Sequence, residues 1–141
     1  MSGCPANASG IKDYTIGNCG VKSYNIHPMS LQDKYFDKIS EGSKTIELRL
    51  NDAKRKKIEI GDRIRFTNKK GEHLFAIVED LLHYPDFETM LSDQELRSLS
   101  GFEPDLREAL SIMEEFYPKH KQQELGVVGI KVRKLEMWPK D

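Results

Sequence analysis

The sequence predicts an α+β fold, namely a small mixed β-barrel with flanking helices. The chain has 141 residues, which is about the length of one domain. Its apolar patterns follow one another as strand, helix, three strands, a helical insertion and a last strand. Consecutive strands without helical crossovers favour antiparallel neighbours, so a doubly wound parallel sheet is excluded. No internal repeat or low-complexity tract follows residue 20.

The beginning of the chain differs from the rest. Residues 1–20 contain five Gly or Pro residues and show no sustained periodicity. We therefore interpret residues 1–20 as an arm or loose hairpin and residues 21–141 as a single domain. Cys4 and Cys19 lie in this arm and follow no C-x-x-C pattern, so we expect free thiols, with a local disulfide or redox role as the alternative.

The first strand and the first helix follow the arm. The short β-branched and aromatic run before Pro28 predicts the strand. A capping box at residues 30–33 and apolar residues at helical spacing predict a helix over residues 31–41. Gly42 then stands where a left-handed C-cap is expected, which allows a sharp turn into the next strand.

The next strand is predicted over residues 45–50, because apolar and polar residues alternate there. Its buried face would carry Ile46, Leu48 and Leu50. Its polar face would carry Thr45, Glu47 and Arg49. Lys44 would stand at the mouth of this strand, directly after the turn.

The middle of the chain predicts a hairpin. In the strand at residues 63–67, the side chains of Arg63 and Arg65 should face outwards. Residues 68–71 form the connection, and the mostly apolar return strand at residues 74–82 should lie centrally in the sheet.

Three helical pieces and a last strand complete the prediction. Asp86 caps the first piece, a second capping box begins at Ser92, and Pro104 suits a first helical position. The closing strand covers residues 125–132, and its two glycines suggest a bulge or close backbone packing.

Composition leaves both enzymes and binding proteins open. The sequence is 38% hydrophobic and 32% charged with a net charge of -1, as is usual for soluble globular proteins. No run approaches the ~20 apolar residues of a membrane span, and the N-terminus lacks a signal-peptide pattern. We expect a cytoplasmic protein without a membrane partner. The histidines have no partner at metal-ligand spacing and no nucleotide-binding glycine motif is present, so we expect neither metal nor cofactor.

Charge is unevenly distributed along the chain. Residues 44–70 contain ten cations and four acids, whereas residues 71–117 contain two cations and twelve acids. A basic half is what a polyanion requires, although a solvated basic face explains it equally well. The acidic helical segment at residues 86–115 is an alternative contact for a protein partner.

Lys44, Glu47 and Arg49 are the candidate functional residues. Side chains two apart on a strand face are ~6.5–7 Å apart at their base, so Glu47 can orient Arg49 or reach Lys44. Such pairing would hold the cations in place. The alternative is an exposed ion pair worth about 0–1 kcal/mol. If the strand of Arg63 and Arg65 were adjacent, four cations would share one face.

These residues resemble a known family. Gly42-x-Lys44-x-x-Glu47-x-Arg49 matches the G-x-K-x-x-E-x-R signature of ASCH domains (activating signal cointegrator homology), and the similarity covers about residues 24–135. The resemblance implies a PUA-like β-barrel with a cleft that binds RNA or a nucleotide-like ligand. Lysine and arginine would meet phosphate or a base edge, and Glu47 would position them or accept from a base amino group. The implied ligand-binding residues are Lys44, Thr45, Glu47, Arg49, Arg63 and Arg65.

The same superfamily also implies an enzymatic alternative. Small bacterial relatives are amidohydrolases of N4-acetylcytidine, and they use the motif lysine, a threonine three residues later and a distant glutamate. Here Lys44 would be the catalytic base, with Thr45, Glu47 and Glu103 as the further candidates. Glu47 occupies the threonine position, and Thr45, as the next residue after Lys44, points to the strand face opposite to that of Lys44. We therefore favour binding over hydrolysis of N4-acylated cytidine or another modified nucleoside.

Overall fold

The computed structural model describes residues 23–102 and 105–136. The predicted arm with Cys4 and Cys19 lies outside this part, as do Glu103 and Pro104. The strands are β1 (Ile26–Ser30), β2 (Ile46–Leu50), β3 (Arg63–Thr67), β4 (His73–Tyr84) and β5 (Val127–Lys134). The α-helices are α1 (Asp33–Glu41), α2 (Phe87–Leu91), α3 (Gln94–Leu99), α4 (Leu106–Phe116) and α5 (Lys119–Leu125), and a 3-10 turn covers Arg55–Lys57.

The five strands form one half-barrel sheet in the order β1-β3-β4-β5-β2. β1 pairs with β3 in parallel, and the other neighbours are antiparallel. The predicted mixed α+β class is confirmed. The sequence predicts that the first strand ends before Pro28, but β1 continues through it to Ser30. Because β1 is an edge strand, the missing N–H of Pro28 leaves the sheet intact.

One hydrophobic cluster lies between α1 and the sheet. Ile64 and Phe66 are fully buried there, which confirms the predicted orientation of β3. α1 ends at Gly42 in the left-handed conformation, with φ of 95°, as predicted. Its N-cap is Gln32 and makes no side-chain capping bond, so the predicted capping box at residues 30–33 is wrong. Ser30 cannot cap the helix because it still belongs to β1.

A second hydrophobic cluster lies between β2 and the helical insertion. Ile46 and Leu48 pack there with Phe87, Met90 and Leu91 of α2. The side chains of Asp86, Asp93 and Asp105 cap α2, α3 and α4. The second predicted capping box, at residues 92–95, is therefore wrong, because Ser92 ends α2 and Asp93, one residue later, caps α3 without a glutamate or glutamine at the third helical position.

The insertion contains four helices among the described residues, where the sequence predicts three. The additional helix, α5, has the polar sequence KHKQQEL and no apolar stripe. It is held by Gln122, whose Oε1 accepts from Phe87 N (3.0 Å) and whose Nε2 donates to Tyr117 O (2.8 Å). These are tertiary contacts, which helical periodicity does not reveal.

Gly129 provides the close packing that the sequence suggests for β5. A Cβ atom at this position would lie 3.0 Å from Ile46 Cγ2 and 3.5 Å from Met90. The register shift lies in β4 instead, between Val78 and Asp80. Close approach at Gly129 brings the helical insertion onto β2. None of the helices described is long and apolar enough to cross a membrane.

Candidate ligand-binding cleft

A cavity of about 260 Å³ opens between β2, the β1–α1 connection and the ends of α3 and α4. Its floor is polar and its walls are aromatic. The floor carries Lys44, Glu47 and Arg49. The aromatic residues of the walls are Tyr35, Phe102, Phe116 and Tyr117. The structure thus brings the three central residues of the predicted site together in one cleft.

The end of α1 places Lys44 in the cleft. The backbone N–H groups of Gly42, Ser43 and Lys44 all donate to Lys38 O, which fixes the turn. Lys44 is only 3% exposed. Its Nζ donates to Ile46 O (2.6 Å) and Ser100 O (2.9 Å) and lies 3.2 Å from Glu47 Oε1. An ammonium group has three hydrogens, so these three acceptors use all of them.

Glu47 links Lys44 to Arg49. Its Oε2 accepts from Arg49 Nε at 2.8 Å, and Arg49 Nη2 donates to Ser30 O at 3.0 Å. The exposed-ion-pair interpretation is wrong, because Glu47 is only 7% exposed. In the sheet register, Glu47 lies opposite Ile130 and Arg49 opposite Val128. Glu47 and Arg49 therefore lie on the same sheet face as Ile130 and Val128 of the first hydrophobic cluster, while the apolar face of β2 packs against the insertion.

The buried charges of the floor shift one another's pKa values. Burial alone would raise the pKa of Glu47, but the charges and hydrogen bonds of Lys44 and Arg49 hold it below its ordinary value of 4.5. Burial lowers the pKa of Lys44, and the Glu47 carboxylate opposes part of that effect. The floor is an ion network whose members depend on one another.

The aromatic walls were largely missed by sequence reasoning. Tyr35 and Phe102 meet edge to face with ring centroids 6.0 Å apart, and Lys44 Nζ lies 5.6 Å from the Tyr35 ring centre. Burial, and then the charge of Glu47, raise the pKa of Tyr35. On the other wall, the rings of Phe116 and Tyr117 lie 6.3 Å apart. These residues stand in different helices and loops, and no local pattern relates them to the motif.

Three other predicted residues lie away from this cavity. Thr45 donates from its backbone N–H to Leu99 O and lines a separate cavity of about 330 Å³ on the other side of Lys44. Arg63 and Arg65 stand on β3, which β4 and β5 separate from β2. The Arg63 guanidinium lies 4.1 Å from the Tyr24 ring centre. The face with four cations, which required the two strands to be adjacent, does not form, because β2 and β3 are not neighbours.

Glu103, the candidate distant acid, lies outside the described residues. Within the described ranges, no three His, Cys, Asp or Glu side chains come together in a group that could hold a metal ion.

Comparison with known proteins identifies the family. The ASCH domain model matches residues 29–136. The crystal structure of hypothetical protein PH0355 superimposes with a TM-score of 0.67 at 31% identity, covering 78% of this chain and 99% of that one. The solution structure of protein PF0455 from Pyrococcus furiosus superimposes with a TM-score of 0.63 at 28% identity. The match covers 79% of this chain and 99% of that one.

A more distant likeness is to the crystal structure of ASCH from Zymomonas mobilis. The TM-score is 0.58 at 16% identity, and the match covers 77% of this chain and 67% of that one. At this identity the likeness shows the fold alone. No curated protein matches the chain. Motif, cleft and family model agree, and the chain belongs to the ASCH domain family, whose PUA-like fold is generally linked to RNA binding.

Proposed function

We propose that the protein binds RNA or a nucleotide-like ligand in this cleft, and that Arg49 and Glu47 make the polar contacts. The observation that carries the proposal is a donor group beside an acceptor group on the cleft floor. Arg49 uses Nε and one Nη2 hydrogen for protein contacts, and its Nη1 donates to none of the described residues. Each Glu47 oxygen accepts one bond and retains further acceptor capacity.

The electrostatic surroundings of the cleft favour an anionic ligand. Lys38 lies close enough to influence Lys44, and Arg55 close enough to be influenced by Arg49. Burial, followed by the charge of Arg49, lowers the pKa of Arg55. Its ion pair with Asp52 is long, at 3.9 Å, and its buried Nε has no partner within the described part of the chain. Such a surplus of cations supports phosphate contacts and binding that weakens with salt.

Lys44 supports the site and does not itself offer donors to a ligand. All three of its hydrogens are committed to Ile46 O, Ser100 O and Glu47. It therefore fixes the carboxylate of Glu47, which in turn orients Arg49. Removal of Lys44 should weaken binding through the position of the other two residues.

An Arg49→Gln variant tests the proposal. We expect weaker binding of single-stranded RNA and, because the Arg49 guanidinium adds positive charge beside the strand even where it meets a base edge, a log–log salt slope that is shallower by up to about 0.7. Arg63→Gln and Arg65→Gln are matched controls, since both arginines stand on β3 and neither lines the cavity. Fluorescence anisotropy from low to moderate salt gives both affinity and slope. Unchanged affinity and slope for Arg49→Gln would disprove cleft binding.

The amidohydrolase alternative has one supporting observation. Burial lowers the pKa of Lys44, which is the direction that a general base requires. Against it, Thr45 lies outside the cleft, and Glu47 occupies the position of the nucleophilic threonine. Incubation with N4-acylated cytidines and other acylated nucleosides, read for the free base or nucleoside, decides the matter. If the protein releases product and Lys44→Ala does not, the amidohydrolase alternative is favoured. If the protein releases no more product than a buffer control, that alternative is excluded.

A further inference from the structure

We infer that the cleft takes a single unpaired nucleobase and that the ring of Phe116 is its stacking surface. This inference rests on the proposed function and names the part of the ligand that enters the site. Phe116 is the last residue of α4 and lies outside the family motif.

Phe116 has the exposure of a contact residue. Three large hydrophobic side chains are exposed in the described ranges, namely Ile26, Ile60 and Phe116. Of these three, Phe116 alone lines the cavity, and it is 51% exposed. The buried side of α4 is formed by Ala109 and Met113, so Phe116 is not needed for that core contact. An apolar ring left open beside a polar floor is a surface on which a base can stack.

The Phe116 ring contacts the ring of Tyr117, with centroids 6.3 Å apart, and Tyr117 is anchored in the core. Tyr117 packs against the fully buried Phe87 with ring centroids 5.8 Å apart. Tyr117 also lies close to the charges of Arg49 and Glu47, and burial raises the pKa of its phenol. A stacking surface held in this way loses little conformational freedom when a ligand binds.

The polar groups of the cleft floor match the planar edge of a nucleobase. Arg49 presents donors directly beside the acceptors of Glu47, because the two side chains are joined by a 2.8 Å bond. A nucleobase edge carries a matching acceptor beside a donor, whereas a phosphate group offers acceptors only. In a duplex this edge is already paired, so the base must be unpaired to reach the floor.

The size of the cavity sets the number of bases. At about 260 Å³ it lies just below the range of roughly 300–1,000 Å³ that is typical of small-molecule pockets. Tyr35 and Phe102 close one wall of the cavity with an edge-to-face contact. One ring system fits this space, with the rest of the strand outside it.

The test compares Phe116→Ala, Phe116→Leu and Phe116→Tyr with the unaltered protein. The ligands are a labelled single-stranded RNA, its duplex and the four mononucleotides, measured at one salt concentration. We expect Phe116→Ala and Phe116→Leu to weaken single-strand binding roughly tenfold, and Phe116→Tyr to retain it, because stacking needs the ring and not merely apolar area. Ile60→Ala is the control, since Ile60 is 64% exposed and does not line the cavity.

The experiments distinguish a failure of the proposed cleft binding from a failure of the proposed stacking on Phe116. If Arg49→Gln loses binding while Phe116→Ala and Phe116→Leu bind as the unaltered protein does, the cleft binds its ligand but stacking on Phe116 is disproved. If duplex binds as tightly as single strand, the unpaired-base inference is also disproved. If neither Arg49→Gln nor Phe116→Ala changes binding, both proposals fall. Mononucleotide binding that depends on Phe116 would identify a free nucleotide, and not only an RNA strand, as a sufficient ligand.

Discussion

At the scale of single residues, Lys44 shows how one side chain can hold a site together. Its ammonium joins the β2 backbone at Ile46, the carboxylate of Glu47 and the end of α3 at Ser100. A buried charge is tolerated only when its hydrogen bonds are satisfied, and here they are. The motif lysine thus connects the barrel to the helical insertion.

Replacing Lys44 with Met should destabilise the protein by about 3–5 kcal/mol, since Glu47 would lose one buried charge partner and two carbonyl groups their donor. Urea unfolding followed by circular dichroism measures this. Lys56→Met, at an exposed position in the 3-10 turn, is the control and should change stability by less than about 0.5 kcal/mol. Equal stabilities of the two variants would contradict the structural role of Lys44.

Glu47 should make stability depend on pH in the acidic range. Its folded-state pKa lies below 4.5, the ordinary value for the unfolded chain. The contribution is therefore complete above that value and is lost as the pH falls through the folded-state pKa. We expect the free energy of unfolding to fall more steeply below pH 4.5 in the unaltered protein than in Glu47→Gln. Parallel curves for the two proteins between pH 7 and pH 3 would refute this.

The sequence predicted the partners within this network but not their burial. Side chains two residues apart on one strand face lie close enough for contact, so the pairing of Glu47 with Arg49 is predicted from their spacing alone. Burial depends on Ser100 and Phe102, more than fifty residues along the chain, and strand alternation carries no information about them. For the same reason the exposed alternative is reasonable from the sequence alone.

At the scale of elements, the turn after α3, at residues 100–102, accepts hydrogen bonds from two lysine side chains, one of them on the cleft floor. Lys38 Nζ donates to Gly101 O at 2.7 Å, and Lys44 Nζ donates to Ser100 O. A Cβ at Gly101 would lie 3.1 Å from Lys44 Cδ. The Lys44 side chain cannot move away from such a Cβ atom without breaking contacts, because its Nζ is bonded to three acceptors. This turn therefore borders the cleft floor, and the side chains of Lys38 and Lys44 bond to it.

Gly101→Ala should reduce both stability and ligand affinity. Gly71→Ala is a matched control, because its φ of +84° resembles the +93° of Gly101, but a Cβ there would meet no atom of the described residues within 4 Å beyond its chain neighbours. We expect each variant to lose about 1–2 kcal/mol from the left-handed backbone. Crowding of Lys44 should cost Gly101→Ala about 1–3 kcal/mol more. Calorimetric titration with RNA separates the two, and equal affinities would show that the turn does not position the floor.

At the scale of the whole molecule, the cleft is assembled from segments that are distant along the chain. It takes residues from the β1–α1 connection, β2, the end of α3 and the end of α4. The sequence predicted the strands and the fold class well, because periodicity and turns are local. It left open whether Arg63 and Arg65 stand beside the motif strand, because the spatial order of strands depends on how β5 inserts between β4 and β2.

Ligand binding should stabilise the entire fold. The cleft exists only when the distant segments are folded together, so a ligand that binds there stabilises the folded state alone. At a free ligand concentration of 100 times Kd we expect a gain of about 2.7 kcal/mol, seen as a concentration-dependent rise in Tm. Arg49→Gln should show a smaller rise at the same RNA concentration. An unchanged Tm with RNA demonstrably bound would place the binding site outside the cleft.

The pairing of β2 with β5 has a consequence for folding during synthesis. In the described sheet, β2 has β5 as its single neighbour, and the two are separated by some eighty residues of chain. Synthesis proceeds from the N-terminus, so the motif leaves the ribosome long before the strand that completes its sheet. During that interval we expect the charged residues of β2 to stay hydrated and to disfavour pairing of the open strand with other chains. The β2–β5 pair that carries the cleft floor therefore cannot form until β5 has emerged.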